Sequence, residues 1–304
     1  MNTPVLRRSE LTCPGHSLSM MAKAAASDAD EVIFDLEDAC AVSEKVSARA
    51  TVAQALRTLM FTGEKVRAYR INGVDTAYCY RDLVDVLEAA GNCVDAIVVP
   101  KVRGPEDVHF VDRLVSQIEW AKGWPAGRIR LELLIESARG LLRAEQSALA
   151  SPRVASLIFG IADFAGDVGS KSFTHEAQTQ FAYPRAAMLI AARAAGIDAI
   201  DSVTVQFRDL EACAADAMHA ASLGYDGKWA IHPSQLAPIH AAFTPTGAEI
   251  ERAQKIMATY EQADRSQGLG AIVFEGHMVD AATLKVEARR LAIAKRAGLI
   301  TKGT

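Results

Sequence analysis

Apolar and polar positions along this chain fall into two alternating regimes. Short β-favouring runs, each closed by a charged or turn-forming residue, are separated by segments of helix length. The runs are SELTCPG (Ser9 to Gly15), EVIFDLED (Glu31 to Asp38), VRAYRIN (Val66 to Asn72), AIVVPKV (Ala96 to Val102), LELLIES (Leu131 to Ser137), SLIFGIADF (Ser156 to Phe164), IDAIDSV (Ile197 to Val203) and GKWAIHPS (Gly227 to Ser234). Strands so apolar, spaced by crossover helices, belong to a parallel sheet buried on both faces. Eight such βα units predict an α/β fold closed as a (β/α)8 TIM barrel, with its chemistry where strands end and βα loops begin.

The intervening segments read as helices. Ser43 to Met60 carries Val46, Ala50, Val52, Ala53, Leu56 and Leu59 on one face, and Asp107 to Ala121 does the same with Val108, Val111, Leu114, Val115 and Ile118. Tyr183 to Ala195 and Leu210 to Leu223 follow. Gly196, Gly224 and Gly227 stand where helices must stop and strands begin. Beyond Pro233 the period changes: a helix over Ala248 to Ala263, a hinge over Ser266 to Gly270, the apolar run AIVFEGHMVD, and a last helix over Ala281 to Ala297. The expected division is a barrel over residues 1–243 and a C-terminal helical extension over 244–304, more than a barrel needs and a candidate lid or oligomer contact.

Composition narrows the function classes. A net charge of -4 offers no general attraction to polyanions, so nucleic acid is not an expected partner. Cys13, Cys40, Cys79, Cys93 and Cys213 are scattered, odd in number and without a CxxC pair, which suits reduced thiols. No apolar segment is long enough for a secretion signal or a membrane span, so a soluble, cytoplasmic protein with no membrane partner is expected.

Several strand ends carry candidate chemistry. Glu136 and Asp163 close the fifth and sixth runs, and two carboxylates with no His or Cys beside them form a hard oxygen site suited to Mg²⁺ (or Mn²⁺), or else an ordinary polar rim. Arg70 ends the third run, and Asp35, Glu37 and Asp38 crowd the end of the second. A guanidinium there either meets a substrate carboxylate or oxyanion, or forms a buried ion pair. Lys101 admits a Schiff-base aldolase, although nothing adjacent depresses its pKa. His232, before Pro233, reads as a ligand, a base or a turn histidine, and Asp201 is similarly open.

Taken together, RSELTCPG, DEVIFDLEDA with Glu44 and Lys45, RINGVDTAYCYRDL, VPKV, LIES, FGIADF, GYDGKWAIHPSQ and EGHMVD resemble the citrate lyase β-subunit-like (HpcH/HpaI) aldolases, most closely malyl-CoA and β-methylmalyl-CoA lyases. The likeness runs from about Arg8 to Leu291. It implies a Mg²⁺-dependent barrel that joins or cleaves an acyl-CoA and a 2-oxo acid. It assigns Glu136 and Asp163 to the metal, Arg70 to the substrate carboxylate and carbonyl, and Glu37 and Asp38 to orienting that arginine and metal-bound water. Arg8, with the Pro14 and Gly15 turn, would contact coenzyme A, and the backbone of Ile231, His232 and Pro233 would line its pantetheine. Asp280 would be the acid lent by a neighbouring subunit of a homotrimer or homohexamer, exchanging the proton at the enolate carbon.

Two segments depart from the family pattern: FAGDVGSKSFTHEAQTQFAYPR after Asp163 is short, and DSVTVQFRD replaces a DG-containing turn. Both fall on mouth loops, which set substrate choice in barrels. The same site serves (S)-citramalyl-CoA lyase, a malyl-CoA thioesterase, a citrate lyase β subunit working on a carrier protein, and a non-catalytic CoA-binding assembly subunit.

Overall fold

The computed structural model describes residues 6–174, 180–267 and 270–300. Each of the eight runs contains a strand: β1 (Ser9–Pro14), β2 (Glu31–Asp35), β3 (Val66–Arg70), β4 (Ala96–Val99), β5 (Arg130–Ile135), β6 (Val154–Phe159), β7 (Asp198–Asp201) and β8 (Gly227–Ala230). They pair in parallel in sequence order, and β1 also pairs with β8, closing the barrel. Helices α1 (Leu18–Ala25), α2 (Lys45–Thr58), α3 (Cys79–Ala90), α4 (Pro105–Lys122), α5 (Ala138–Leu142), α6 (Ala144–Ala148), α7 (Ile161–Asp167), α8 (Ala182–Ala194) and α9 (Leu210–Leu223) lie between strands, and α10 (Leu236–Phe243) follows β8.

Local chemistry explains the punctuation. Asp209 caps α9 by accepting from the Ala212 N–H, and Gly224 ends it at φ 109°, where a side chain would be strained. Gly196 ends the turn after α8 in the same way. Gly227 serves a different purpose from the expected one: its φ is not in the left-handed region, but an added Cβ would lie 1.8 Å from the Arg7 carbonyl oxygen. Its missing side chain lets the chain before β1 cross the foot of β8.

Inward-facing residues stack in layers. Ile33, Ala68, Val98, Leu134, Ile158, Ile200 and Trp229, one from each of seven strands, share the apolar middle of the barrel. Because a strand repeats its facing every second residue, positions two residues back or forward point into the same interior at the barrel's two ends.

Arg7–His240 forms one compact unit, and the described residues from Ala241 onward form another. In the second, α11 (Gly247–Gln267) is followed by an antiparallel hairpin of β9 (Ala271–Phe274) and β10 (His277–Asp280), which leads into α12 (Ala281–Arg296). The hinge expected at Ser266 to Gly270 begins instead within α11, and residues 268–269 lie outside the described residues. No helix among the described residues is long and apolar enough to cross a membrane.

Candidate active site at the barrel mouth

The C-terminal ends of the strands bring together most of the candidate residues. Arg70, the last residue of β3, donates from Nε and Nη2 to the two carboxylate oxygens of Asp35, at 2.7 and 2.5 Å. The register pairs these two residues on adjacent strands, so the fork meets its partner without reaching. Asp35 also accepts from the Glu37 and Ala39 N–H groups. Burial alone would raise its pKa, but the charge and hydrogen bonds of Arg70 outweigh that and hold the carboxyl below its usual range. Glu37 forms an ion pair with Arg70 at 2.9 Å, and the Trp229 ring lies 5.3 Å from the guanidinium carbon.

Lys101 follows β4 in the left-handed region, at φ 53°. A non-glycine residue there costs on the order of 1–3 kcal/mol. The conformation turns its N–H onto Glu136 Oε1 at 2.5 Å, and its ammonium meets Glu37 and, at 3.3 Å, Asp38. Burial would lower the ammonium pKa, yet these carboxylates more than reverse it and keep the group protonated. A Schiff base needs the neutral amine, so this environment opposes that chemistry.

Glu136 stands just beyond β5 and is 4% exposed. Gly160, at the end of β6, leaves room for it, since an added Cβ would come within 2.6 Å of the Glu136 Cβ. Burial, opposed by Arg70 and reinforced by Glu37 and Asp163, pushes its carboxyl up to about 8. Asp163, in the first turn of α7, shares with Glu136 a cavity of about 520 Å³ that Lys101, Arg103, Ser137 and Asp167 also line. Among the described residues no donor meets Glu136 Oε2 or either oxygen of Asp163. Open carboxylate oxygens with no soft ligand fit a hard divalent cation such as Mg²⁺, which would also relieve the crowding that raises Glu136.

Other expectations land elsewhere. Pro14 and Ile231 close β1 and run past β8 on the same face, with Ile231 40% exposed. His232 is engaged in its turn: Nδ1 pairs with the Ser234 hydroxyl, Gln235 Oε1 accepts from its N–H, and Phe207 packs against the ring. Asp201 joins a buried network with Lys228 and Arg185. Arg8 precedes β1 and therefore occupies the opposite rim from the mouth, where its guanidinium grips Asp30 at 2.8 and 2.9 Å. The expected contact at the mouth fails because β1 separates Arg8 from Pro14. Asp280 lies in the second unit, capping α12 by accepting from the Ala282 and Thr283 N–H groups, which lower its pKa.

Reading strand ends one by one missed Trp229, Arg103 and Asp167. Arg103 was open to the same inspection as Lys101, two residues away. Trp229 reaches Arg70 only because the barrel closes.

The family described as HpcH/HpaI aldolase/citrate lyase matches residues 8–233. Over 293 residues the chain is 40% identical to an L-malyl-CoA/beta-methylmalyl-CoA lyase from Cereibacter sphaeroides, covering 91% of each protein. It is 35% identical over 280 residues to citrate lyase subunit beta from Leuconostoc mesenteroides subsp. cremoris, covering 92% of this chain and 90% of that one. Among solved structures, protein CitE from Mycobacterium tuberculosis in complex with magnesium, acetoacetate and coenzyme A matches with a TM-score of 0.78 and 30% identity, over 97% of this chain and 100% of that one.

Proposed function

The chain belongs to the HpcH/HpaI aldolase/citrate lyase family, and from that premise we propose that it is a carbon–carbon lyase of malyl-CoA or β-methylmalyl-CoA, interconverting the thioester with glyoxylate and acetyl-CoA or propionyl-CoA. The observation that carries the reading is the charge layout of the mouth: two open carboxylates, Glu136 and Asp163, on one cavity, beside an arginine whose fork is already held by Asp35. Glu136 and Asp163 would hold Mg²⁺, which when bound supplies a Lewis acid for the carboxylate and carbonyl oxygens of the oxo acid.

The protein's own groups do the rest. Arg70 is oriented before substrate arrives, and its remaining N–H groups offer planar positive charge to a substrate carboxylate or a developing oxyanion. Glu37, between Arg70 and Lys101, spaces the two cations. In cleavage the hydroxyl of the substrate gives its proton to solvent water and becomes the carbonyl of glyoxylate. The carbon–carbon bond breaks, and its electron pair passes to the thioester as an enolate that is reprotonated at carbon. We assign that proton exchange to Asp280 of a neighbouring subunit in a homotrimer or homohexamer; held ionised by its helix N–H groups, it is set to accept the proton in the condensation direction. Pro14 and the Ile231 to Pro233 backbone are the proposed coenzyme A contacts, and Arg8 is not.

Malyl-, methylmalyl- and citramalyl-CoA, offered to the isolated chain with products identified by mass, test the reading. EDTA is expected to abolish cleavage and Mg²⁺ or Mn²⁺ to restore it; full activity in metal-free buffer overturns the metal assignment. Hydrolysis to free CoA without carbon–carbon cleavage identifies a thioesterase instead. The likeness to citrate lyase subunit beta favours one second reading, a carrier-bound substrate, and turnover of free CoA esters excludes dependence on a carrier. Mixing inactive Asp280→Ala and Glu136→Ala subunits is expected to regenerate activity; exchange without activity overturns the shared site.

A further inference from the structure

The opposite end of the barrel holds a second set of acids that the proposed reaction does not use. Glu10 and Glu31 are register partners on the adjacent strands β1 and β2, and Glu132 reaches them from β5 across the lumen. All three have no solvent exposure, and one carboxylate oxygen from each lies within 4.8 Å of the others. Arg7 enters the same space, 3.3 Å from Glu31, 3.1 Å from Glu132 and 3.1 Å from Asp198.

We propose that this barrel floor is a metal site of its own, in which Glu10, Glu31 and Glu132 hold a divalent cation that ties β1 and β2 to β5.

Charge and geometry both support it. Among the described residues Arg7 is the one cation paired with Glu31 and Glu132, and none is paired with Glu10, so three sealed carboxylates, if ionised, exceed its single charge. Glu10 is the independent sign of a ligand: it is wholly buried, and among the described residues neither of its oxygens meets a donor. A carboxylate left so is as unfavourable as one half of a broken buried ion pair, unless a cation or a proton compensates it. Two oxygens on one ion can be no farther apart than twice the bond length, about 4.6–5.2 Å for Ca²⁺ and about 4.1 Å for Mg²⁺. Separations that do not exceed 4.8 Å admit an ion of Ca²⁺ size, and Mg²⁺ or Mn²⁺ where the oxygens approach more closely. The donors are all hard oxygens, a set that suits Mg²⁺, Ca²⁺ and Mn²⁺. Because the site is sealed, the ion would be captured during folding.

The test removes the mouth site first. Glu136→Ala/Asp163→Ala protein, unfolded and refolded with Ca²⁺ or with Mn²⁺ and then desalted, is expected to retain one ion per chain by elemental analysis. It should also melt several degrees above the same protein refolded in EDTA. Adding Glu10→Gln and Glu132→Gln should abolish both the bound ion and the EDTA effect. No retained ion and identical melting in EDTA overturns the proposal and leaves shared protons as the counter-charge. Should the fourfold variant fail to fold, the ion count on the double variant decides alone.

Discussion

The mouth and the floor of the barrel are built from the same strands in the same rhythm. Along β2, Glu31, Ile33 and Asp35 face inward in turn; from β5 onward, Glu132, Leu134 and Glu136 do the same. Each strand thus carries an acid at both ends of one apolar layer. At the mouth the acids have Arg70 and Lys101 as partners and border an open cavity. At the floor they are sealed around Arg7. Equal carboxylates thus line an open cavity at one end and lie sealed within the fold at the other, in keeping with the division of labour between the two faces of such barrels.

The comparison is broken most directly at the mouth carboxylates proposed to hold the metal. Glu136→Ala or Asp163→Ala is expected to cut cleavage by about a thousandfold or more while the protein stays folded, measured by turnover and melting temperature. Next is Arg7→Met at the floor, which strands buried carboxylates and should cost about 3–5 kcal/mol in denaturant unfolding. Turnover per folded molecule should be unchanged; a variant as stable as the parent would show that the floor acids are not ionised. Arg70→Lys combines both behaviours, since the charge survives but the fork to Asp35 does not. Turnover should fall about a hundredfold and stability by about 1–3 kcal/mol.

A pH titration sharpens the contrast further. In EDTA, Glu136 has a carboxyl pushed from 4.5 to about 8, chiefly by burial. A raised folded pKa contributes stability below 4.5 that is lost as the pH rises through about 8. The melting temperature of chelated protein should therefore decline over that window, and Glu136→Gln should flatten the decline. The smallest effect is expected from Arg8→Ala: with its guanidinium on Asp30 at the far rim, the KM for the CoA ester should not change. A clear rise in KM would return Arg8 to the substrate site.

Much of this was legible without coordinates because a strand's facing and a helix's stripe are local properties. Eight apolar runs with polar ends specify a barrel, and reading their last residues finds Glu136, Asp163, Arg70, Glu37 and Asp38. The same rule overlooked the first residues of those runs, so Glu31 and Glu132 went unread although they share the inward facing of Asp35 and Glu136. Arg8 failed for a related reason: sequence neighbours of a strand are placed at one rim or the other by strand direction, and Arg8 comes before its strand.

What the sequence alone determined is the order of elements, the parity of each side chain and the family to which the motifs point. Closure of the sheet decided the rest. It set Trp229 of β8 against Arg70 of β3, brought Glu132 across the lumen to Glu10 and Glu31, and let the chain at Arg7 pass over Gly227. These contacts join residues far apart along the chain, and their energies depend on burial and on which charges share a sealed space. Neither exists until the barrel has closed.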